Sequence, residues 1–100
     1  TLLELTVTTV YQHLMQHCPE VNEVYVCGGG VHNQLLLACL KQRLGSTTMA
    51  LTDDLGVNAD WVEAAAFAWL AKQTITHRPG NLPAATGANG LRILGAIHLA

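Results

Sequence analysis

Three consecutive glycines, at positions 28 to 30, separate a short β-forming run from a helix-forming segment. The run Val24-Tyr25-Val26-Cys27 is continuous and apolar, which is typical of a strand buried on both faces of a parallel sheet. Asn33 is a favoured N-cap residue, and leucines form one apolar stripe over residues 34–44. The pattern therefore predicts a strand, a glycine turn and a helix in immediate succession.

Helix and strand signals alternate along the rest of the chain. Apolar spacing predicts a helix over residues 2–18, a strand over 47–51 and an alanine-rich helix over 60–73. Turn residues dominate residues 77–90, and alternating apolar residues predict a last strand over 91–99. Strands that alternate with helices imply an α/β fold with parallel strands, and no domain boundary is predicted within residues 1–100.

The alanine-rich helix has a helix-start signal of its own. Asp60 and Glu63 have the spacing of a capping box, in which each would bond the backbone of the other. The small alanine side chains let neighbouring elements approach closely, so we expect this helix to lie deep between layers. Trp61 and Trp69 are then interpreted as core residues.

Charged residues are scarce, at 12% of the chain against 50% apolar residues. A small monomer has a high ratio of surface to volume and needs charged side chains to cover it, so we expect a piece of a longer chain whose faces other protein covers. The composition excludes intrinsic disorder, and no stretch reaches the roughly 18 apolar residues of a membrane span. A net charge of −2 gives no basic field, so neither nucleic acid nor membrane is an expected partner.

The three cysteines, Cys18, Cys27 and Cys39, cannot all pair and form no CxxC motif. Each lies in an apolar stretch, so we expect reduced thiols that behave as small hydrophobic groups, with Cys27 buried. Reduced cysteines and the absence of a visible signal peptide after Thr1 predict a cytoplasmic location.

The glycine turn is the strongest candidate site. Glycine removes the side chain that would hold a ligand away, and the following helix N-terminus favours an anion or a hydrogen-bond acceptor. The alternative is a tight strand-to-helix turn without a ligand, for which two glycines suffice. The segment has neither the GxGxxG nor the GxxxxGK[ST] spacing, so the common dinucleotide and phosphate loops are excluded.

Several separated motifs resemble one family. The segments VCGGGVHN, LLLACLKQRLG, TDDLGVNADWVEAAAFAWLA and RPGNLPAATGANG, then ILGAI, resemble the C-terminal part of the anhydro-N-acetylmuramic acid kinases over about residues 23–97. That family belongs to the sugar kinase, Hsp70 and actin superfamily, which implies part of a ribonuclease-H-like lobe. The resemblance implies a bacterial enzyme of cell-wall sugar recycling that uses ATP and Mg²⁺ to open the 1,6-anhydro bond with water and to phosphorylate O6.

The resemblance also implies roles for residues. Gly28, Gly29 and Gly30 match the glycine segment that approaches ATP, and Asn33 caps the helix behind it. Glu63 matches a glutamate that is expected to face the anhydro-N-acetylmuramic acid; the alternative is the capping box. The family's phosphate loop and water-activating aspartate belong to earlier segments, so no catalytic residue is assigned and the chain alone is expected to be inactive.

Other candidates favour structural roles. Asp53 and Asp54 lie in a Thr-Asp-Asp turn, where aspartate bonds the local backbone, and His13 and His17 lack a third metal ligand. The resemblance implies a lobe that opens with an antiparallel three-stranded unit, for which this sequence has no counterpart. We therefore expect an exposed sheet edge that the isolated chain covers by dimerising, as a homodimer, or by swapping an element, or else marginal stability. The rival functions are another sugar kinase of the superfamily and a non-catalytic interaction module.

Overall fold

A computed structural model describes residues 1–98, which form two compact units, Thr1–Val62 and the described residues from Glu63 onward. The helices and strands follow in the order α1 (Leu2–His17), β1 (Glu23–Val26), α2 (Gln34–Leu44), β2 (Thr48–Leu51), α3 (Val62–Ile75) and α4 (Pro83–Thr86).

The two helices of the first unit begin and end close to their predicted positions. The hydroxyl of Thr1 accepts a hydrogen bond of 3.3 Å from the Glu4 backbone N–H, which caps α1, and Pro19 follows its last turn. α2 has the predicted bounds, because Asn33 caps its start and Gly45 takes a positive φ of 62° just after its end.

The two strands form a parallel pair joined by α2, as the alternation of elements predicts. Glu23 pairs with Thr48 and Val26 with Leu51 at the two ends of the register. The prediction that β1 is buried on both faces is wrong, because its last three residues are half-buried and Glu23 is exposed. The described residues supply a single neighbouring strand, which leaves the other edge of β1 unpaired.

The buried side chains of the described residues lie in the first unit. They come from α1, α2 and the connections after β1 and β2, and are Val7, Val31, Leu40, Leu44 and Ala59. Val7 is the most deeply buried, at 2% exposure, where α1 packs against α2. This small core includes one residue from each of the two connections, Val31 and Ala59.

The predicted burial of the alanine-rich helix is wrong. α3 begins two residues later than predicted, after a 3₁₀ turn over Ala59–Trp61, and none of its residues is buried. Trp61 and Trp69 are 71% and 52% exposed, so they are not core residues in this chain. Alanine favours the helix locally, but burial needs a covering layer that the described residues do not provide.

The predicted last strand is also wrong for the described residues 91–98, and residue 99 lies outside them. Alternating apolar residues form a strand only where another strand pairs with them. Here the backbone N–H of Arg92 donates to the side chain of Asn81 at 2.6 Å, and the Gly80 N–H donates to the Arg92 carbonyl at 3.0 Å. The segment is held by a loop, and the stretch predicted as turns includes the short helix α4.

Candidate functional site

The glycine turn lies at the carboxyl end of β1. Gly28 has φ 79° and ψ −179°, a backbone conformation that residues other than glycine rarely adopt. Its carbonyl accepts from the Val31 N–H at 3.1 Å, and a 3₁₀ turn follows over Gly29–His32. Val31 is buried and anchors the turn, while Gly29 and Gly30 stay exposed.

One side of the turn is open. A Cβ atom added to Gly28 or to Gly29 would meet no heavy atom within 4 Å, and one added to Gly30 would meet Leu36 Cδ2 at 3.7 Å, an ordinary contact. The turn is therefore not filled by side chains of this chain. Packing does not require glycine at position 29, and its φ lies outside the positive range, so neither local reason explains that glycine.

Asn33 links the turn to α2. Its side-chain oxygen accepts from the Leu36 N–H at 3.0 Å, and its own N–H donates to the Gly30 carbonyl at 3.1 Å. The predicted helix cap is confirmed. The first turn of α2 contains no acidic residue, so its positive end is not neutralised by a local carboxylate.

A second loop reaches the same edge of the sheet from the end of β2. The two carboxylate oxygens of Asp53 accept from the Asn58 side chain at 3.2 Å and from the Ala59 N–H at 3.0 Å. Gly56 takes a left-handed conformation between them, and Asn58 accepts from the Asp60 N–H at 3.0 Å. Asp53 thus bonds the local backbone, as its turn position indicates.

Two hydrogen bonds join this second loop to the glycine turn. The Gly28 N–H donates to the Ala59 carbonyl at 2.8 Å, and His32 Nε2 lies 2.7 Å from Asp60 Oδ1. The side chains of His32 and Asp60 are 68% and 48% exposed. The loops that follow the two parallel strands are therefore joined by hydrogen bonds at the carboxyl ends of the strands. This is where open α/β sheets bind ligands.

The capping box predicted for Asp60 and Glu63 is wrong. The Asp60 carboxylate bonds His32 instead, and among residues 1–98 Glu63 makes no side-chain hydrogen bond. Glu63 is exposed at the start of α3, in the second unit. Its role toward a sugar stays a prediction.

The link between His32 and Asp60 was missed by sequence reasoning. The two residues are 28 positions apart, and Asp60 has a local alternative as a helix-start residue. No pattern within either segment indicates the pair. The parallel arrangement of the two strands, which the sequence does predict, would have placed both loops at one edge.

The lesser candidates have ordinary environments. His13 and His17 are exposed on α1 with ring centroids 6.0 Å apart, and the described residues contain no group of three metal-ligating side chains. Cys27 is exposed, so its predicted burial is wrong: it follows β1 at an edge that the described residues leave uncovered. All three cysteines are free thiols, Cys39 being half-buried.

A phenol beside β1 has a perturbed pKa. The hydroxyl of Tyr25 donates to Glu23 Oε2 at 3.0 Å, and this bond is the main reason that the pKa of Tyr25 is raised from 10.0. Desolvation and the negative charges of Glu23 and Asp54 act in the same direction, because they disfavour the phenolate.

The first unit is thus part of an α/β lobe with a candidate ligand-binding edge. The family model for anhydro-N-acetylmuramic acid kinase matches residues 1–100. The chain belongs to this family, as its motifs indicate.

Relatives that carry this name are similar in sequence to almost the whole chain. Anhydro-N-acetylmuramic acid kinases from Nitrosomonas europaea, Nitrosospira multiformis and Thiobacillus denitrificans are 56%, 53% and 52% identical to it over 98 residues. Each alignment covers 98% of this chain but 26–27% of the relative. The chain therefore spans about a quarter of the length of these relatives.

Proposed function

We propose that the full-length protein to which this chain belongs is an ATP-dependent kinase of anhydro-N-acetylmuramic acid. It opens the 1,6-anhydro bond with water and phosphorylates O6, in cell-wall sugar recycling. The observation that carries this proposal is the family match over all 100 residues, together with relatives named for that sugar. The match also disfavours the two rivals, a kinase of another sugar and a non-catalytic module.

The glycine turn is suited to the nucleotide. The open space beside Gly28 and Gly29 is space that a side chain would occupy, and it lies at the carboxyl edge of the parallel pair. We assign the adenine and ribose side of ATP to residues Gly28, Gly29 and Gly30. Asn33 then acts indirectly, because it fixes the start of α2 behind the turn.

We assign no magnesium site to the residues of the glycine turn. The described residues contain no group of three carboxylate, histidine or cysteine side chains that could hold an ion. Phosphoryl transfer depends on positioning and on neutralising phosphate charge, a task in which Mg²⁺ assists. We therefore assign no ligand of Mg²⁺ among residues 1–98.

Glu63 is the candidate for contact with the sugar. It is exposed at the start of α3 and has no hydrogen-bond partner among the described residues, so its carboxylate is available to accept from sugar hydroxyls. The water-activating aspartate belongs to a segment outside this chain. Asp53 is a poor substitute, because both its oxygens already accept local hydrogen bonds.

These assignments leave the chain incomplete as a catalyst. We propose that residues 1–100 alone are inactive, that the full protein is a homodimer, and that it works in the cytoplasm, where its three free thiols stay reduced. Among residues 1–98 no helix combines the length and the apolar character needed to cross a membrane.

The test is an assay of the full-length protein and of residues 1–100 side by side. With ATP, Mg²⁺ and anhydro-N-acetylmuramic acid, the full-length protein should release ADP and form the 6-phosphate, while the short chain forms none. A panel of other sugars tests the first rival, which predicts faster turnover on one of them. Absence of ATP-dependent phosphorylation of any sugar by the folded full-length protein would favour the non-catalytic module.

Glu63→Gln tests the sugar assignment within the same protein. The substitution keeps the size of the side chain and removes its charge, so we expect a higher KM for the sugar or a lower kcat at unchanged melting temperature. Glu20→Gln, in the exposed loop after α1, is the matched control. A change of melting temperature with unchanged kinetics would assign Glu63 a structural role.

A further inference from the structure

We propose that His32 and Asp60 are a pair of positioning residues that hold the glycine turn in the conformation that accepts ATP. This inference rests on the proposed function, because it assumes that the turn receives the nucleotide. It goes beyond that function in assigning a role to two residues outside the glycine segment.

The glycine turn has few contacts of its own that fix its shape. Gly28 and Gly29 have no side chains, and the space on their Cβ side is empty. Within the 3₁₀ turn, Val31 is the buried residue that anchors it to the core. The turn therefore needs outside support if it is to present one conformation to a ligand, since glycine is freer than any other residue.

The loop after β2 supplies that support at both ends of the turn. At the start, the Gly28 N–H donates to the Ala59 carbonyl at 2.8 Å. At the end, His32 Nε2 lies 2.7 Å from Asp60 Oδ1, a short distance for a hydrogen bond to a carboxylate. The residues that accept are neighbours in sequence, so one rigid segment clamps the turn across its length.

Asp60 is itself held in place. Its N–H donates to Asn58 Oδ1 at 3.0 Å, and Asp53 bonds both the Asn58 side chain and the Ala59 N–H. Ala59 is buried, at 3% exposure, which fixes the backbone between these contacts. The carboxylate that meets His32 is therefore preorganised by its own loop.

The exposure of the pair argues against a role mainly in stability. The side chains of His32 and Asp60 are 68% and 48% exposed, and contacts between exposed polar side chains contribute little to the folding of proteins. Such a pair can still bias the turn between conformations, because a glycine segment has alternatives of similar energy. Its effect should then appear in nucleotide affinity rather than in the melting temperature.

The experiment uses the full-length protein and measures the ATP dissociation constant, the KM for the sugar and the melting temperature. For His32→Ala, Asp60→Ala and the double variant we expect ATP binding weaker by about two- to fivefold, the range open to an exposed pair. The double variant should be no worse than either single variant, since the two residues act through one contact. The sugar KM and the melting temperature should not change.

Two further variants separate a specific role from a general one. His32→Gln places an amide donor near the position of Nε2 and should restore most of the ATP affinity. Glu4→Ala breaks an exposed ion pair elsewhere in the first unit, in which Arg43 Nη2 lies 3.3 Å from Glu4 Oε1. It should leave the ATP dissociation constant unchanged.

The results that overturn the inference differ from those that overturn the proposed function. Gly29→Val is measured in parallel: if it weakens ATP binding while His32→Ala does not, the glycine turn keeps its role and the pair has none. If Gly29→Val has no effect either, the nucleotide assignment of the turn fails first. Additive losses in the double variant, or losses that follow the melting temperature, also contradict the positioning role.

Discussion

The backbone N–H of Gly28 donates a hydrogen bond of 2.8 Å to the carbonyl oxygen of Ala59, which joins the loops that follow the two parallel strands. Gly28 makes this contact with φ 79° and ψ −179°, a combination that is almost confined to glycine. The neighbouring Gly29 has no such backbone constraint. The first two glycines of the turn therefore have separate reasons to be glycine, and substitutions can distinguish them.

Gly28→Ala should destabilise the protein, while Gly29→Ala should not. A Cβ atom at position 28 meets no neighbour, so the cost is the backbone strain alone, about 1–3 kcal/mol. Gly29→Ala should stay within about 0.5 kcal/mol of the parent. Urea unfolding of the full-length protein measures both, and equal effects of the two substitutions would contradict this account of the turn.

Asp53→Ala should destabilise the loop after β2. It leaves the partly buried N–H of Ala59 without its acceptor, which costs about 1–3 kcal/mol. Asp54→Ala is the matched control, because Asp54 makes no side-chain hydrogen bond among residues 1–98, and it should cost little. Urea unfolding measures the difference between the two variants.

The variants Asp53→Ala and Asp54→Ala also test whether Asp53 takes part in catalysis. Corrected for the fraction folded, turnover by either variant should remain within about threefold of the parent, far less than the loss when a catalytic acid or base is removed. A fall of about a hundredfold or more for Asp53→Ala alone, without loss of stability, would assign it a catalytic role.

Tyr25 should titrate above 10.0, because its hydroxyl donates to Glu23 and nearby carboxylates disfavour the phenolate. A raised pKa means that the contact stabilises the folded state below about pH 10 and that this contribution is lost as pH rises through the folded pKa. In residues 1–100, Tyr11→Phe leaves Tyr25 as the single tyrosine, so the ultraviolet absorbance of that chain reports the titration. Glu23→Gln should move the midpoint back toward 10.0; no response to Glu23→Gln would contradict the assigned cause.

Residues 1–100 on their own should dimerise or exchange an element, or else be marginally stable. The outer edge of β1 has no partner strand among the described residues, and an open apolar cavity of about 360 Å³ lies beside it between α1 and α2. Analytical ultracentrifugation and thermal melting over a range of concentrations measure this. A monomer with a cooperative melt at high temperature would contradict the expectation.

The elements that the sequence predicted well are those with local signals at both ends. The bounds of α2 follow from Asn33, from the leucine stripe and from Gly45, and each of these signals acts within a few residues. The parallel pair follows from the alternation of strands and helices.

The errors concern properties that depend on what covers an element. Trp61 and Trp69 are large and apolar, as many core residues are, but nothing in the described residues covers them. Residues 91–98 alternate as a strand does, yet they bond the loop around Asn81 instead of another strand. The prediction of one domain over residues 1–100 stays a prediction.

In the candidate site too, local features were predictable from the sequence and contacts between distant segments were not. The glycine turn and the cap at Asn33 were predictable, since both are contiguous in sequence. The contact between His32 and Asp60 joins segments 28 residues apart, so it depends on the folded arrangement of both loops. Roles for Gly28, Gly29, Gly30 and Glu63 toward ligands stay predictions.

The nucleotide role of the glycine turn is tested most directly by the ATP dissociation constant of the full-length Gly29→Val variant. The Cβ atom of the new side chain meets no heavy atom within 4 Å and no positive φ opposes the substitution, so the melting temperature should stay within about 2 °C of the parent. Ser46→Val serves as the control. It adds similar bulk to an exposed turn before β2, at the end of the strand pair opposite to the glycine turn. We predict ATP binding weaker by about tenfold or more for Gly29→Val, as expected where bulk enters a fitted site, and unchanged for Ser46→Val. An unchanged ATP dissociation constant for Gly29→Val would contradict the account and leave the turn with a structural role alone.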